Sequence, residues 1–324
     1  MKPRIGFLGT GWIGRHRMAA MVATGAVDAV AVSDPSPESI AEAATIAPTI
    51  RIVDTLDDML ALDIDGVVIA TPSALHAEQS IQALQAGKAV FCQKPLGRTA
   101  AEVDAVIAAA RAADRLLGVD LSYRHTAGME AIAGLIREGT LGDIFAVDLT
   151  FHNAYGPDKP WFYDPVQSGG GCVVDLGVHL VDLALWTLGF PKASDAHAAL
   201  YAGGQPLHPG SVEDYASASF TAGGTTVRLT CSWRLHAGQD AVIAADFYGT
   251  QGGAGFRNVG GSFYDFTADH FNGTATHRLT DGPDDWGGRA AAAWAQQLAH
   301  SHRNDPAADH FARSAEVLDL IYGR

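Results

Sequence analysis

From Arg4 to Leu121 the chain alternates between short runs that are apolar throughout and alanine-rich stretches with helical spacing. The runs are "RIGFL", "VDAVAVSD", "TIRIV", "DGVVIAT", "AVFCQ" and "LLGVDL"; among the intervening stretches are "SPESIAEAATIA", "SALHAEQSIQALQAG" and "TAAEVDAVIAAARAAD". A strand that is apolar at every position must be covered on both faces, as a parallel sheet with crossover helices covers it. The alternation therefore predicts a doubly wound α/β domain.

That context gives weight to "IGFLGTGWIG", where three glycines spaced G-x-G-x-x-G follow a strand and open the helix "WIGRHRMAAMVA". Gly9 is expected to make the tight turn, Gly11 to let the backbone approach a pyrophosphate, and Gly14 to let helix and strand pack closely. The helix N-terminus, with Trp12 and Ile13, offers unpaired N–H groups to an anion. Asp34 ends the second strand about twenty residues beyond Gly14, where a carboxylate accepts from ribose hydroxyls; alternatively it only caps the next helix. Pro35, Ser36 and Pro37 follow, with no basic residue for a 2′-phosphate, so NAD is expected over NADP. Thr71, Pro72 and His76 follow the fourth strand at the carboxyl edge of the sheet and are expected to line the cofactor.

The chain has 324 residues, more than one core usually supports, so two domains are expected, at residues 1–121 and 122–324. In the second, "FAVDLTFH", "DYASASFTAGGTTVRLTCSWRL" and "AVIAADFYG" alternate apolar with polar residues, the pattern of a sheet covered on one face. With 48% hydrophobic and 18% charged residues the chain is a globular protein. Its 36 acidic against 22 basic residues give a net charge of -14 with no basic block, which argues against nucleic acid. No signal segment and no run of membrane-spanning length stands out, so a cytoplasmic protein is expected. Cys92, Cys172 and Cys231 have no paired spacing and read as buried free thiols; no metal site is expected.

Two further stretches are hard to explain as packing. "GKAVFCQKPLG" carries Lys94 just past a strand, and "SGGGCVVDLGVHLVDLALWTLG" sets Asp175 and His179 four apart at a helix start. Together with the glycine turn, "ATPSALH" and "YRHTAGMEAIAGLIREGTLGDI", in matching order over nearly the whole chain, they resemble the glucose-fructose oxidoreductase, inositol dehydrogenase and MocA family. The resemblance implies an N-terminal Rossmann domain, a C-terminal α/β domain with a large, mostly antiparallel open sheet, and an active site between them. It also implies homodimers or homotetramers paired through the exposed sheet face.

The implied reaction moves a hydride between a secondary alcohol of a sugar, inositol or related polyol and nicotinamide. His179 is the natural base, because imidazole as a side-chain type changes charge close to neutral pH. Asp175, one turn earlier, is placed to touch His179 or the substrate, and Lys94 to orient the hydroxyl and stabilise developing alkoxide. The family's usual Glu before that lysine is Gln93 here, placed at the cofactor, which removes a charge beside Lys94. Tyr123, Arg124, His152, Tyr155, Trp161 and Trp233 are candidate walls of an uncharged-sugar pocket; Arg124 and Arg234 would favour a phosphorylated substrate if they converged. Two other readings are a glycoside hydrolase working by transient oxidation and a sugar-sensing regulator without chemistry.

Overall fold

The computed structural model describes residues 1–324 as two compact units, the first made of Met1–Asp120 and Gly288–Ala312, the second of Leu121–Gly287 and Arg313–Arg324. The division expected at 121/122 leaves out the return of residues 288–312 to the first unit.

The first unit runs β1 (Arg4–Leu8), α1 (Trp12–Ala23), β2 (Asp28–Ser33), α2 (Pro37–Ile46), β3 (Arg51–Ile52), α3 (Leu56–Leu60), β4 (Gly66–Ile69), α4 (Ser73–Gln85), β5 (Ala89–Cys92), α5 (Ala100–Ala113) and β6 (Leu117–Val119). All strands are parallel, in the order β3-β2-β1-β4-β5-β6, so the order reverses beside β1, where a doubly wound sheet opens its ligand crevice. Every residue of β4 and β5 is buried, as their unbroken apolar sequences require. The helix Arg289–His300 sets Trp294 against Phe91, ring centroids 5.6 Å apart. A Cβ on Gly118 of β6 would stand 2.5 Å from the Trp294 ring, so glycine in that strand makes room for the indole.

The second unit begins with α6 (Ala127–Arg137) and β7 (Ile144–Asn153), the single turn α7 (Pro165–Ser168) and α8 (Val178–Thr187). Eight more strands follow: β8 (Ala193–Ala202), β9 (Gln205–Pro206), β10 (Tyr215–Ala222), β11 (Thr225–Ser232), β12 (Ala241–Gly249), β13 (Gly253–Asn258), β14 (Phe266–Asn272) and β15 (Ala275–Thr280). They form one nine-stranded sheet, antiparallel except for the β7–β11 pair. On the covered face Val147, Leu149, Phe151, Phe220, Phe247 and Phe256 pack with Leu180, Val181 and Leu185 of α8. The other face carries alternate Ser, Thr and charged residues, with Arg228 held by Asp148 and Arg257 by Asp246, each at 2.6 Å. One correction concerns residues 165–187, which are long and apolar enough to cross a membrane by length and composition; 89% of the window is buried, as a core segment is.

Candidate functional site

At the dinucleotide end of the first unit the three glycines have separate physical reasons. Gly9 has φ +84, and a Cβ there would lie 2.6 Å from the Ala70 carbonyl oxygen. A Cβ on Gly14 would meet the Gly9 oxygen at 2.3 Å, which is the close packing of α1 on its own turn. At Gly11 a Cβ would meet nothing within 4 Å, so the backbone there is open to an approaching group. No side chain caps α1 and its first turn holds no acid, leaving its N–H groups and partial positive charge for an anion. Trp12, 60% exposed, and Ile13 stand at that opening.

Asp34 accepts from the Thr10 amide at 2.6 Å and from the Ser36 amide at 2.8 Å, tying the end of β2 to the glycine turn. The cap of α2 is Ser36, whose hydroxyl accepts from Ser39 N, so the helix-cap alternative for Asp34 gives way. Arg15, the nearby cation of α1, is held by Glu42 at 2.5 Å. These features fit a dinucleotide whose pyrophosphate meets the N-terminus of α1 and whose ribose hydroxyls meet Asp34.

At the carboxyl ends of β4 and β5, Thr71 donates to Gln79 Oε1 and Pro72 precedes α4. His76 is buried, with Nδ1 2.7 Å from the Pro95 carbonyl and Nε2 2.7 Å from the Thr71 carbonyl. Burial lowers its pKa against these two acceptors, and the charge of Lys94 adds to the lowering. His76 therefore joins the Thr71 and Lys94 loops from beneath instead of lining a ligand. Lys94 is the one residue of 89–97 that is not buried. Gln93, expected at the cofactor, is buried and donates to Asp120 Oδ2 at 2.6 Å.

In the second unit residues 168–185 are buried except for Asp175 and His179. The helix does not start regularly: Val173–Gly177 is a π-helical turn leading into α8, and Asp175 sits within it. Asp175 accepts from the Trp233 indole N–H at 3.0 Å, while His179 packs against Tyr123, centroids 4.9 Å apart. Tyr123 is buried among Phe266, Trp286 and His179, and burial raises its pKa. Trp161 stacks on Phe162, which meets Trp233 edge-on, so Trp161 belongs to the same aromatic group.

Three candidates lie elsewhere. Period-two alternation puts His152 on the sheet face opposite Phe151, where it bonds Ser232 at 2.8 Å and stacks on Tyr215; the structure does not bring it to His179. Arg124 forms a two-point ion pair with buried Asp182 and lies over Phe190, so its charge is already matched. Burial raises the pKa of Asp182 and Arg124 opposes it. Tyr155 is exposed and donates to Asp240. Arg234 lies over the Tyr163 ring, 5.0 Å from its centroid.

Glu213 was not anticipated. Fully buried, it accepts from Gly171 N and Val173 N, each at 2.9 Å, and from the Tyr322 hydroxyl at 2.7 Å, capping the segment that carries Asp175 and His179. Burial raises its pKa against these donors. It also explains two glycines. A Cβ on Gly171 would stand 1.9 Å from the Glu213 carbonyl oxygen and one on Gly170 2.1 Å from the Tyr322 hydroxyl. The triple glycine was the one available signal.

A doubly wound sheet with this glycine turn, followed by a large open sheet, is the architecture of a dinucleotide-binding protein with a second domain. The model for the oxidoreductase family, NAD-binding Rossmann fold, matches residues 3–121, and the GFO/IDH/MocA C-terminal domain model matches residues 129–254. The chain belongs to this family, and its first unit is an NAD-binding Rossmann domain. It is 30% identical over 188 residues to 1,5-anhydro-D-fructose reductase of Ensifer adhaerens, covering 57% of this chain and only 56% of that one. With inositol 2-dehydrogenase of Rhizobium meliloti (strain 1021) it shares 29% identity over 262 residues, 80% of this chain and 76% of the relative. A levoglucosan dehydrogenase, solved with NADH and levoglucosan, superposes with a TM-score of 0.84 at 22% identity, over 100% of this chain and 96% of that one.

Proposed function

We propose that the protein is an NAD-dependent dehydrogenase of an uncharged sugar, inositol or related cyclic polyol. The observation that carries this reading is that residues 168–185 are buried except for a carboxylate and an imidazole, Asp175 and His179. NAD, when bound, supplies the hydride acceptor. His179 takes the hydroxyl proton, and Asp175, fixed by Trp233, orients that imidazole or a neighbouring hydroxyl. Lys94 stabilises the developing alkoxide. Trp161, only partly buried, supplies an aromatic face and an indole donor suited to a sugar ring, while the buried Tyr123 and Trp233 hold His179 and Asp175.

The charge of the substrate follows from the arginines. Arg124 is neutralised by Asp182, which supports an uncharged substrate; Arg234, stacked on Tyr163, keeps its charge. The open sheet face supports pairing of subunits, and unpaired cysteines support a cytoplasmic setting.

The test is a panel of matched free and phosphorylated sugars and cyclic polyols, with NADH formation as the readout. Higher kcat/KM for the free compounds is expected. A tenfold preference for phosphorylated ones, about 1.4 kcal/mol in transition-state binding, overturns the substrate class.

A further inference from the structure

The residue before Lys94 is the neutral Gln93, and the structure places a buried carboxylate against it. Gln93 directly follows β5, and Asp120, 1% exposed, directly follows the adjacent strand β6. One oxygen of Asp120, Oδ2, accepts from Gln93 Nε2 and from Arg17 Nε, both at 2.6 Å. Arg17, itself buried, lies on α1, the helix that the glycine turn opens, and its second nitrogen is 3.0 Å from His16 Nδ1. The Asp120 amide also donates to the Cys92 carbonyl at 2.9 Å, so both ends of this residue are fixed to β5.

A carboxylate at 93 is incompatible with this arrangement. Two carboxylates on one buried oxygen site do not both ionise, and one of them takes a proton. An amide at 93 donates instead, so the pair tolerates one negative charge, at either position but not at both. The same site also has to answer Arg17, because a buried guanidinium without a carboxylate is costly.

We propose that Asp120 is a positioning residue for Lys94: it carries, one strand over, the carboxylate of the lysine loop. Through Gln93 it holds that loop against α1, and it keeps its charge one residue removed from Lys94. The role rests on reading Lys94 as the group that meets the substrate hydroxyl. The arrangement itself does not. Arg17, Asp120 and Gln93 thus form a single unit joining the helix of the glycine turn to the loop of the lysine. Because the carboxylate and the amide are exchangeable across the pair, the charge can be moved without changing its total.

The experiment compares wild type, Gln93→Glu, Asp120→Asn and the exchange variant carrying both. Thermal melts of the whole chain are read across about pH 6 to 9. Gln93→Glu is expected to lose Tm as pH rises, since the shared proton must leave. Asp120→Asn is expected to lose Tm at every pH, because Arg17 is stranded. The exchange variant is expected to recover most of both losses. The second readout is the methyl resonance of Lys94 after reductive methylation with carbon-13 formaldehyde. Only Lys2, Lys88, Lys159, Lys192 and the N-terminal amine compete with it for label, so Lys94→Arg assigns the signal. In the exchange variant the Lys94 titration midpoint is expected to move upward by about half a unit or more relative to wild type, which a purely structural bond would not cause. A pH-independent Gln93→Glu variant, an exchange variant that stays destabilised, or superimposable Lys94 titrations would each overturn the proposal. Neither readout requires substrate, so an absent dehydrogenase activity would count against the proposed function and leave this test intact.

Discussion

The two units build their functional ends from different materials. At the dinucleotide end of the first, the working parts are mostly backbone: a left-handed glycine, an open glycine, uncapped helix N–H groups, and carbonyls held by His76. In the second they are side chains brought together from distant segments: Asp175 with Trp233, His179 with Tyr123, and Glu213 with Gly171, Val173 and Tyr322. A backbone site depends on local conformation, which a few residues dictate. A side-chain site depends on the whole core beneath it, so it is sensitive to substitutions remote in sequence.

Substitutions in each unit separate the two. The largest effect is expected from His179→Ala, which removes the proposed base and is expected to lower turnover by about two to four orders of magnitude with NAD affinity nearly intact. Steady-state kinetics alongside calorimetric NAD titration checks this, and near-normal turnover with chemistry rate-limiting would remove His179 from the reaction. Gly9→Ala should do the converse. Its Cβ meets the Ala70 oxygen at 2.6 Å with φ held at +84, a strain of about 1–3 kcal/mol that is expected to weaken NAD by roughly five- to a hundredfold. Any loss of turnover should then recover at saturating NAD.

Glu213→Gln sharpens the comparison within the second unit. The amide presents an N–H₂ group to a site built of donors, a mismatch of about 1–3 kcal/mol in a buried position. The expected result is a lower Tm and a turnover reduced by about tenfold or more, with NAD affinity unchanged. A variant equal to wild type in both would show that the glycine segment holds Asp175 and His179 without this cap.

The smallest effect concerns His76. Its folded pKa is lowered, so the neutral ring contributes stability that is complete above the unfolded value of about 6.5 and is lost as pH falls below it. Wild-type Tm should therefore fall more than that of His76→Gln between about pH 7 and 5, and parallel curves in differential scanning calorimetry would contradict this.

The same contrast explains what the sequence made legible. Unbroken apolar runs identified the parallel sheet, and alternating ones the open sheet, because coverage on two faces or one acts on every residue of a strand. Gly9, Gly11 and Gly14 could be given separate roles because each role is a local backbone requirement. Asp175 and His179 were visible by their spacing, yet the π-helical turn that carries Asp175 was not, since Glu213 and Tyr322 shape that segment from far along the chain. Arg124 and His152 were misplaced for related reasons: the partner of Arg124, Asp182, lies on α8, and the facing of His152 depends on strand register. The return of residues 288–312 to the first unit was invisible because its signal is the space that Gly118 leaves for Trp294.

The central claim is net hydride transfer from a carbinol carbon to NAD, and deuterium tests it most directly. An uncharged cyclic polyol accepted in the panel, deuterated at the reacting carbon, is incubated with the protein and excess NAD, and the cofactor is analysed by mass. Accumulation of NADH carrying one deuterium, in proportion to ketone formed, is the predicted result. Glycosidic cleavage with the label returned to the sugar and no net NADH would contradict it.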